Sequence, residues 1–190
     1  GGAIVVPSKA LKDRAVFFAT QSRDLAPHYQ HSEIGYNYRM SNICAGIGRG
    51  QMEVLKSRVE GRRKMHSFYD EITENMDGVT LFREPNSDFF SNHWLSVITI
   101  DETVAATNRE NLRLAFLEDK IESRPIWKPM HMQPVFKDAP YYGGDFAEKL
   151  FENSLCLPSG SNLTDSDRAR IEKVMVNVFS DKKLSDVIIP

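Results

Sequence analysis

The sequence predicts an α/β chain in two parts: a strand, a helix, a long loop and a very long helix, followed by a smaller α+β unit. Three observations carry this. Ile43, Ile47, Met52, Leu55 and Val59 recur at helical spacing, and good helix formers continue to about Met76. Beyond Asp77-Gly78 the texture changes to short β-rich runs, Val79 to Phe82 and Trp94 to Ile100. A capped helical pattern then closes the chain from Thr164. The boundary falls near residues 70–78, which gives a first part over 1–75, a second over 76–182 and a tail over 183–190.

Taken in order, Ala3 to Val6 is a short apolar strand, and Ser8 caps a helix that runs to about Gln21. Asp24 to Tyr38 is a long polar loop whose aromatics argue for order. The long helix starts at Ser41, and its charges between Lys56 and Lys64 predict a solvated face. In the second β-run, Leu95, Val97 and Thr99 alternate with Ser96, Ile98 and Ile100. Thr107-Asn108-Arg109-Glu110 forms a capping box before a helix over Asn108 to Lys120. Pro125, Pro129, Pro134 and Pro140 exclude regular helix from the next loop. The last helix carries Asp165 and Asp167 at its positive end and runs to about Phe179.

Composition narrows the function. With 190 residues and 41% hydrophobic content the chain can bury a substantial core. Acidic and basic residues nearly balance, 26 against 24, so nucleic acid is not an expected partner. No apolar run approaches the ~20 residues of a membrane span, and GGAIVVPSK has no signal-peptide pattern. A cytoplasmic chain is expected. Cys44 and Cys156 lack CxxC spacing and read as reduced core thiols. His28 and His31, three apart with only Glu33 nearby, do not make a metal site and are expected to hydrogen-bond within the loop.

The densest chemistry lies between His28 and Gln51. Gly46, Gly48 and Gly50 each cost a helix about 1 kcal/mol against alanine, which points to close helix packing rather than a phosphate loop, since no strand feeds directly into them. The segment Gly35 to Gln51, GYNYRMSNICAGIGRGQ, resembles the signature of the DegT/StrS-type sugar-nucleotide aminotransferases, pyridoxal-phosphate enzymes of the aspartate-aminotransferase fold. GGAIVV at the start is similar to the strand after that family's Schiff-base lysine. Ile121 to Phe136, IESRPIWKPMHMQPVF, resembles its substrate-side loop, and Leu155 to Gly160, LCLPSG, matches a fourth segment. These stretches span roughly residues 1–180 in the family's order.

The resemblance implies the C-terminal part of a fold-type-I pyridoxal-phosphate transferase: the end of a large cofactor domain with its long helix, then a small α+β domain. It implies pyridoxal 5'-phosphate in the complete enzyme. Asn37 of the GYN motif would reach the cofactor phosphate of a neighbouring subunit, and Arg39 would assist, which makes a homodimer the expected assembly. Otherwise Asn37 simply turns the chain before the helix. Tyr36 is a candidate substrate contact, although it and Tyr38 also read as core-edge aromatics. Prolines around Trp127, Lys128 and His131 would hold these three toward a sugar-nucleotide, unless Trp127 is core. The implied reaction moves an amino group from an amino acid, glutamate, to a nucleotide-linked 4-keto-6-deoxy sugar for cell-surface glycans. The wording of Tyr29 to Gln51 favours C4 of a UDP-linked N-acetyl sugar.

The Schiff-base lysine would lie upstream of Gly1, so the chain offers no catalytic residue of its own. Lys9 and Lys12 sit on the helix after the strand and cannot replace it. A truncated, inactive portion is therefore expected, with uncovered apolar faces that favour association. The alternative is a non-catalytic interaction or remnant module of the same fold.

Overall fold

A computed structural model describes residues 2–180. The expected tail and the end of the last segment lie outside these described residues. Two compact units divide the chain, Gly1–Leu55 and Lys56–Pro190.

In the first unit, α1 spans Lys9–Ala19, and Ser8 caps it by accepting a hydrogen bond from the Leu11 amide at 3.3 Å. Gln21 and Ser22 then take φ of 67° and 51°, a left-handed turn that reverses the chain. Gly35 lies against that turn so closely that a Cβ there would come within 2.5 Å of the Ser22 nitrogen. Only glycine fits. The returning segment is tied to the end of α1: the Tyr36 amide donates to Phe18 O, Tyr38 to Ala19 O, and Gln21 to Tyr36 O, at 3.1–3.2 Å. The long loop is thus ordered without regular secondary structure. As expected, His28 bonds inside it, Nε2 with Gln30 Oε1 at 3.2 Å, whereas His31 Nδ1 reaches out of the loop to Gln21 O at 2.8 Å.

Three expectations for this unit need correction. Ala3 to Val6 forms no strand, because a strand needs a hydrogen-bonded neighbour and none is beside it among the described residues. Val5 is 96% exposed. Beyond the helix's own backbone, Gly46, Gly48 and Gly50 have no heavy atom of the described residues within 4 Å of an added Cβ, so the close packing expected there is not made within these residues. Cys44, beside them on the helix, is exposed rather than core.

Helix α2, Asn42–Thr73, is 32 residues long and begins with Ser41 Oγ accepting from the Cys44 amide at 3.2 Å. Its later turns belong to the second unit, where Met65 and Tyr69 are buried. Residues 56–75, which the sequence groups with the first part, therefore share the second unit's core. Strands β1 (Val79–Leu81), β2 (Ser96–Ile100), β3 (Arg124–Pro125) and β4 (Ser154–Leu157) form one antiparallel sheet in the order β1-β2-β4-β3. Val79 faces Ile100, and Ile98 faces Leu155. The short β3 takes the edge, where Pro125 removes no ladder donor that the sheet needs.

Ser96, Ile98 and Ile100 turn inward, in line with the alternation in the sequence. Ile98 and Ile100 join Leu112 and Phe116 of the helix Arg109–Glu118 and Ile171, Val174 and Met175 of the helix Asp165–Ser180 in one apolar cluster. The cap of the former is Asn108, not Thr107: its Oδ1 accepts from the Glu110 and Asn111 amides at 3.1 and 3.0 Å. Thr164 and Asp167 form a reciprocal box at the start of the latter. Two short helices, Glu102–Ala105 and Phe146–Asn153, and strands β3 and β4 had no separate signal in the sequence. Among the described residues, no helix is long and apolar enough to cross a membrane.

Candidate functional site

The predicted site residues fall into two groups, one in each unit. In the first unit, Asn37 and Arg39 line one hollow of about 820 Å³ together with Thr20, Arg23 and Asp24. Asn37 pairs with Thr20 in a single antiparallel bridge, which fixes its direction. Its Oδ1 accepts from the Arg39 amide at 3.3 Å, so it does turn the chain. That leaves the two N–H donors of its amide, and the Arg39 guanidinium, without a partner among the described residues. Asp24 is already engaged: the Ser32 hydroxyl, and next the Gln30 amide, hold its carboxyl below the usual range. A hollow that holds these free donors can take an anion. Tyr36 and Tyr38 pack on each other with ring centroids 5.6 Å apart, yet both stay exposed, so they are not core-edge residues here.

In the second unit, Trp127 leans on Trp94 at 5.7 Å between centroids and is 68% exposed, which removes the packed-core alternative. Both indoles border a cleft of about 460 Å³ whose other walls include Pro125 and Pro158. Lys128 is exposed, and its ammonium has no ion-pair partner among the described residues. His131 stacks on Tyr141 at 3.8 Å, and its Nε2 lies 2.9 Å from Glu148 Oε1. The prolines thus set His131 in one direction, and Glu148 and Tyr141 hold it there. Among the described residues, no three His, Cys, Asp or Glu side chains gather to hold a metal ion.

The family profile of the DegT/DnrJ/EryC1/StrS aminotransferases matches residues 1–176. The chain belongs to this family. EpsN of Bacillus subtilis (strain 168), named as a pyridoxal phosphate-dependent aminotransferase, is 43% identical over 94% of this chain and 46% of its own length. GDP-perosamine synthase of Escherichia coli O157:H7 is 32% identical over 96% of the chain and 48% of its own. DesI, solved in the presence of its TDP-sugar product, shares the fold with a TM-score of 0.80 at 20% identity, over 95% of this chain and 46% of that one. The chain spans about half the length of the relatives it matches. The expected fold class is the one found: a C-terminal portion of a DegT-type aminotransferase with mixed helix and sheet.

For this DegT-family chain, sequence reasoning missed the residues that build the second group from behind. Arg62, expected on a solvated face, donates from Nη1 to Trp94 O at 2.6 Å and to Ser159 O at 2.8 Å. Arg63 holds Glu84 Oε1 at 2.8 Å and Ser91 O at 2.5 Å. Gly61 admits the loop at Ser161, whose Cβ would lie 3.2 Å from a glycine Cβ. A run of helix charges looks alike in sequence whether it meets water or carbonyls, so only the paired loops reveal the difference.

Proposed function

We propose that this chain forms the C-terminal portion of an aminotransferase that passes an amino group from glutamate to C4 of a nucleotide-linked 4-keto-6-deoxy sugar, a UDP-linked N-acetyl sugar by preference. The observation that carries it is the pair of free donors at Asn37 and Arg39, which share a hollow whose one carboxylate, Asp24, is already hydrogen-bonded by Ser32 and Gln30. Pyridoxal phosphate fits that donor set through its phosphate, held by the Asn37 amide and the Arg39 guanidinium. When bound, the cofactor supplies an electron sink for amino transfer.

The remaining work falls to side chains of this chain. Tyr36 offers a hydroxyl and an exposed ring beside the phosphate grip. Lys128 offers an unpaired cation to the diphosphate of the sugar-nucleotide. His131, held by Glu148, orients a polar group of the sugar through a fixed imidazole. Completion of the site by a second copy, as a homodimer, is part of the same proposal. Support comes from family membership and from relatives named for pyridoxal-phosphate and GDP-sugar chemistry.

The test is amino transfer by the polypeptide expressed with its upstream coding sequence, with glutamate and a panel of UDP-, GDP- and TDP-linked 4-keto sugars. Mass spectrometry should find the carbonyl oxygen of one sugar replaced by an amine. A cofactor-loaded protein that converts none of them would overturn the proposal.

A further inference from the structure

Trp94 and Trp127 are the only two tryptophans of the chain, and the fold brings both to the mouth of one cleft. They remain 56% and 68% exposed, an unusual placement for the largest apolar side chains. The rings incline by 38°, so together they make one broad aromatic wall rather than two jaws. The cleft behind them, about 460 Å³, lies within the range of about 300–1,000 Å³ typical of small-molecule sites.

The wall is held firmly. Arg62 ties the carbonyls of Trp94 and Ser159, and the Tyr69 hydroxyl donates to Pro158 O at 2.7 Å. A preformed surface loses little entropy when it binds. Inside, Ser123 Oγ is shut off from solvent and has no hydrogen-bond partner. Ser123 lines the cleft, and a turn of its side chain about χ1 brings that hydroxyl to the polar edge of a ligand, which a hydrocarbon side chain would not provide. At the rim, Arg124 Nε is spent on Glu122 Oε1 at 2.7 Å, so the cleft is close to neutral and does not select an anion. The unpaired cation is Lys128, next along the chain from Trp127.

We propose that this cleft seats the base of the nucleotide-linked sugar: the heterocycle stacks on the Trp94–Trp127 wall, its polar edge meets Ser123 Oγ, and its diphosphate leaves toward Lys128. The inference rests on the substrate class proposed above. A flat ring with hydrogen-bonding edges satisfies the indole faces and the buried hydroxyl together, whereas phosphate alone satisfies neither.

Because these are the only tryptophans, indole emission of the 190-residue chain reports directly on the cleft. The chain is titrated with UDP, GDP and dTDP, and with pyrophosphate and glucose 1-phosphate as base-free probes. At least one nucleoside diphosphate should quench saturably while the base-free probes stay silent. By calorimetry, Trp127→Ala should weaken that ligand about tenfold, the loss expected of one base–aromatic stack. Trp94→Phe, which keeps a ring, and Ser123→Ala should each weaken it by less. Trp127 is exposed, so its variant keeps the fold, and circular dichroism checks this.

Quenching by no nucleoside diphosphate, equal quenching by glucose 1-phosphate, or unchanged affinity in folded Trp127→Ala would overturn the assignment. Amino transfer separates this inference from the one it rests on. Transfer by the upstream-extended protein with KM unchanged in Trp127→Ala removes the cleft and leaves the function. Base binding without transfer to any sugar does the reverse.

Discussion

The imidazoles of His66 and His93 lie face to face, with centroids 3.7 Å apart and planes inclined by 23°. Both side chains are buried. His66 Nε2 bonds Phe82 O at 3.0 Å, and His93 Nε2 lies 3.4 Å from Glu84 Oε2. Arg63 and the Ser91 amide hold the same carboxylate. The stack therefore fastens the segment that carries Trp94 to α2.

Acid should loosen this fastening. Burial, then the neighbouring His66, holds His93 below the ordinary imidazole value, so the unfolded chain takes up a proton first. The contribution of His93 to stability is complete above about pH 6.5 and declines as the pH falls below it. Glu84 acts in the same sense further down: Arg63, then the Ser91 amide, lowers it to about 2, so its contribution fades from the ordinary carboxyl range toward that value. Urea unfolding should thus have a steady midpoint from pH 8 to 7 and a falling one from about pH 6.5 to 5. His93→Asn, which tolerates the residue's φ of 43°, should flatten the first part of the fall. A midpoint independent of pH over that range would refute the assignment.

Arg62→Met keeps the stem of the side chain and removes two charged hydrogen bonds to carbonyls. The second unit should lose about 2 kcal/mol in urea unfolding. Tryptophan emission should broaden as Trp94 gains freedom. Wild-type stability and emission in the variant would mean that the carbonyls find water instead.

Gly35→Ala places a methyl group against the Gln21–Ser22 turn, where backbone atoms of both residues block it as well as the Ser22 hydroxyl. Amide hydrogen exchange should quicken at Tyr36 and Tyr38, whose N–H groups bond the end of α1, and stay the same in the second unit. Unchanged protection at Tyr36 would show that the turn yields without releasing the segment.

Much of this architecture was legible because it depends on local periodicity and caps. Helix α2 follows from the apolar spacing of Ile43 to Val59 and the helix formers after it, and the last helix from Thr164 and its acidic first turn. Strand β4 was not legible as a strand: Ser154 to Leu157 is buried at every position, so it shows no alternation. Ala3 to Val6 failed for the opposite reason, an apolar run without a neighbour to pair with among the described residues. At the candidate site, Asn37 and Arg39 were visible through a motif. Arg62 and Glu148 act through partners distant in sequence, and spacing carries no trace of them.

Removal of the proposed phosphate grip should affect binding before chemistry. In the upstream-extended protein, Asn37→Ala and Arg39→Ala should each weaken pyridoxal phosphate by about tenfold, the worth of one charge-assisted hydrogen bond. The comparison with pyridoxal, which lacks the phosphate, is the most direct measurement of the central claim that this chain holds the cofactor's phosphate. Weaker pyridoxal phosphate with unchanged pyridoxal is the expected result; equal affinity of wild type and both variants for pyridoxal phosphate would contradict it.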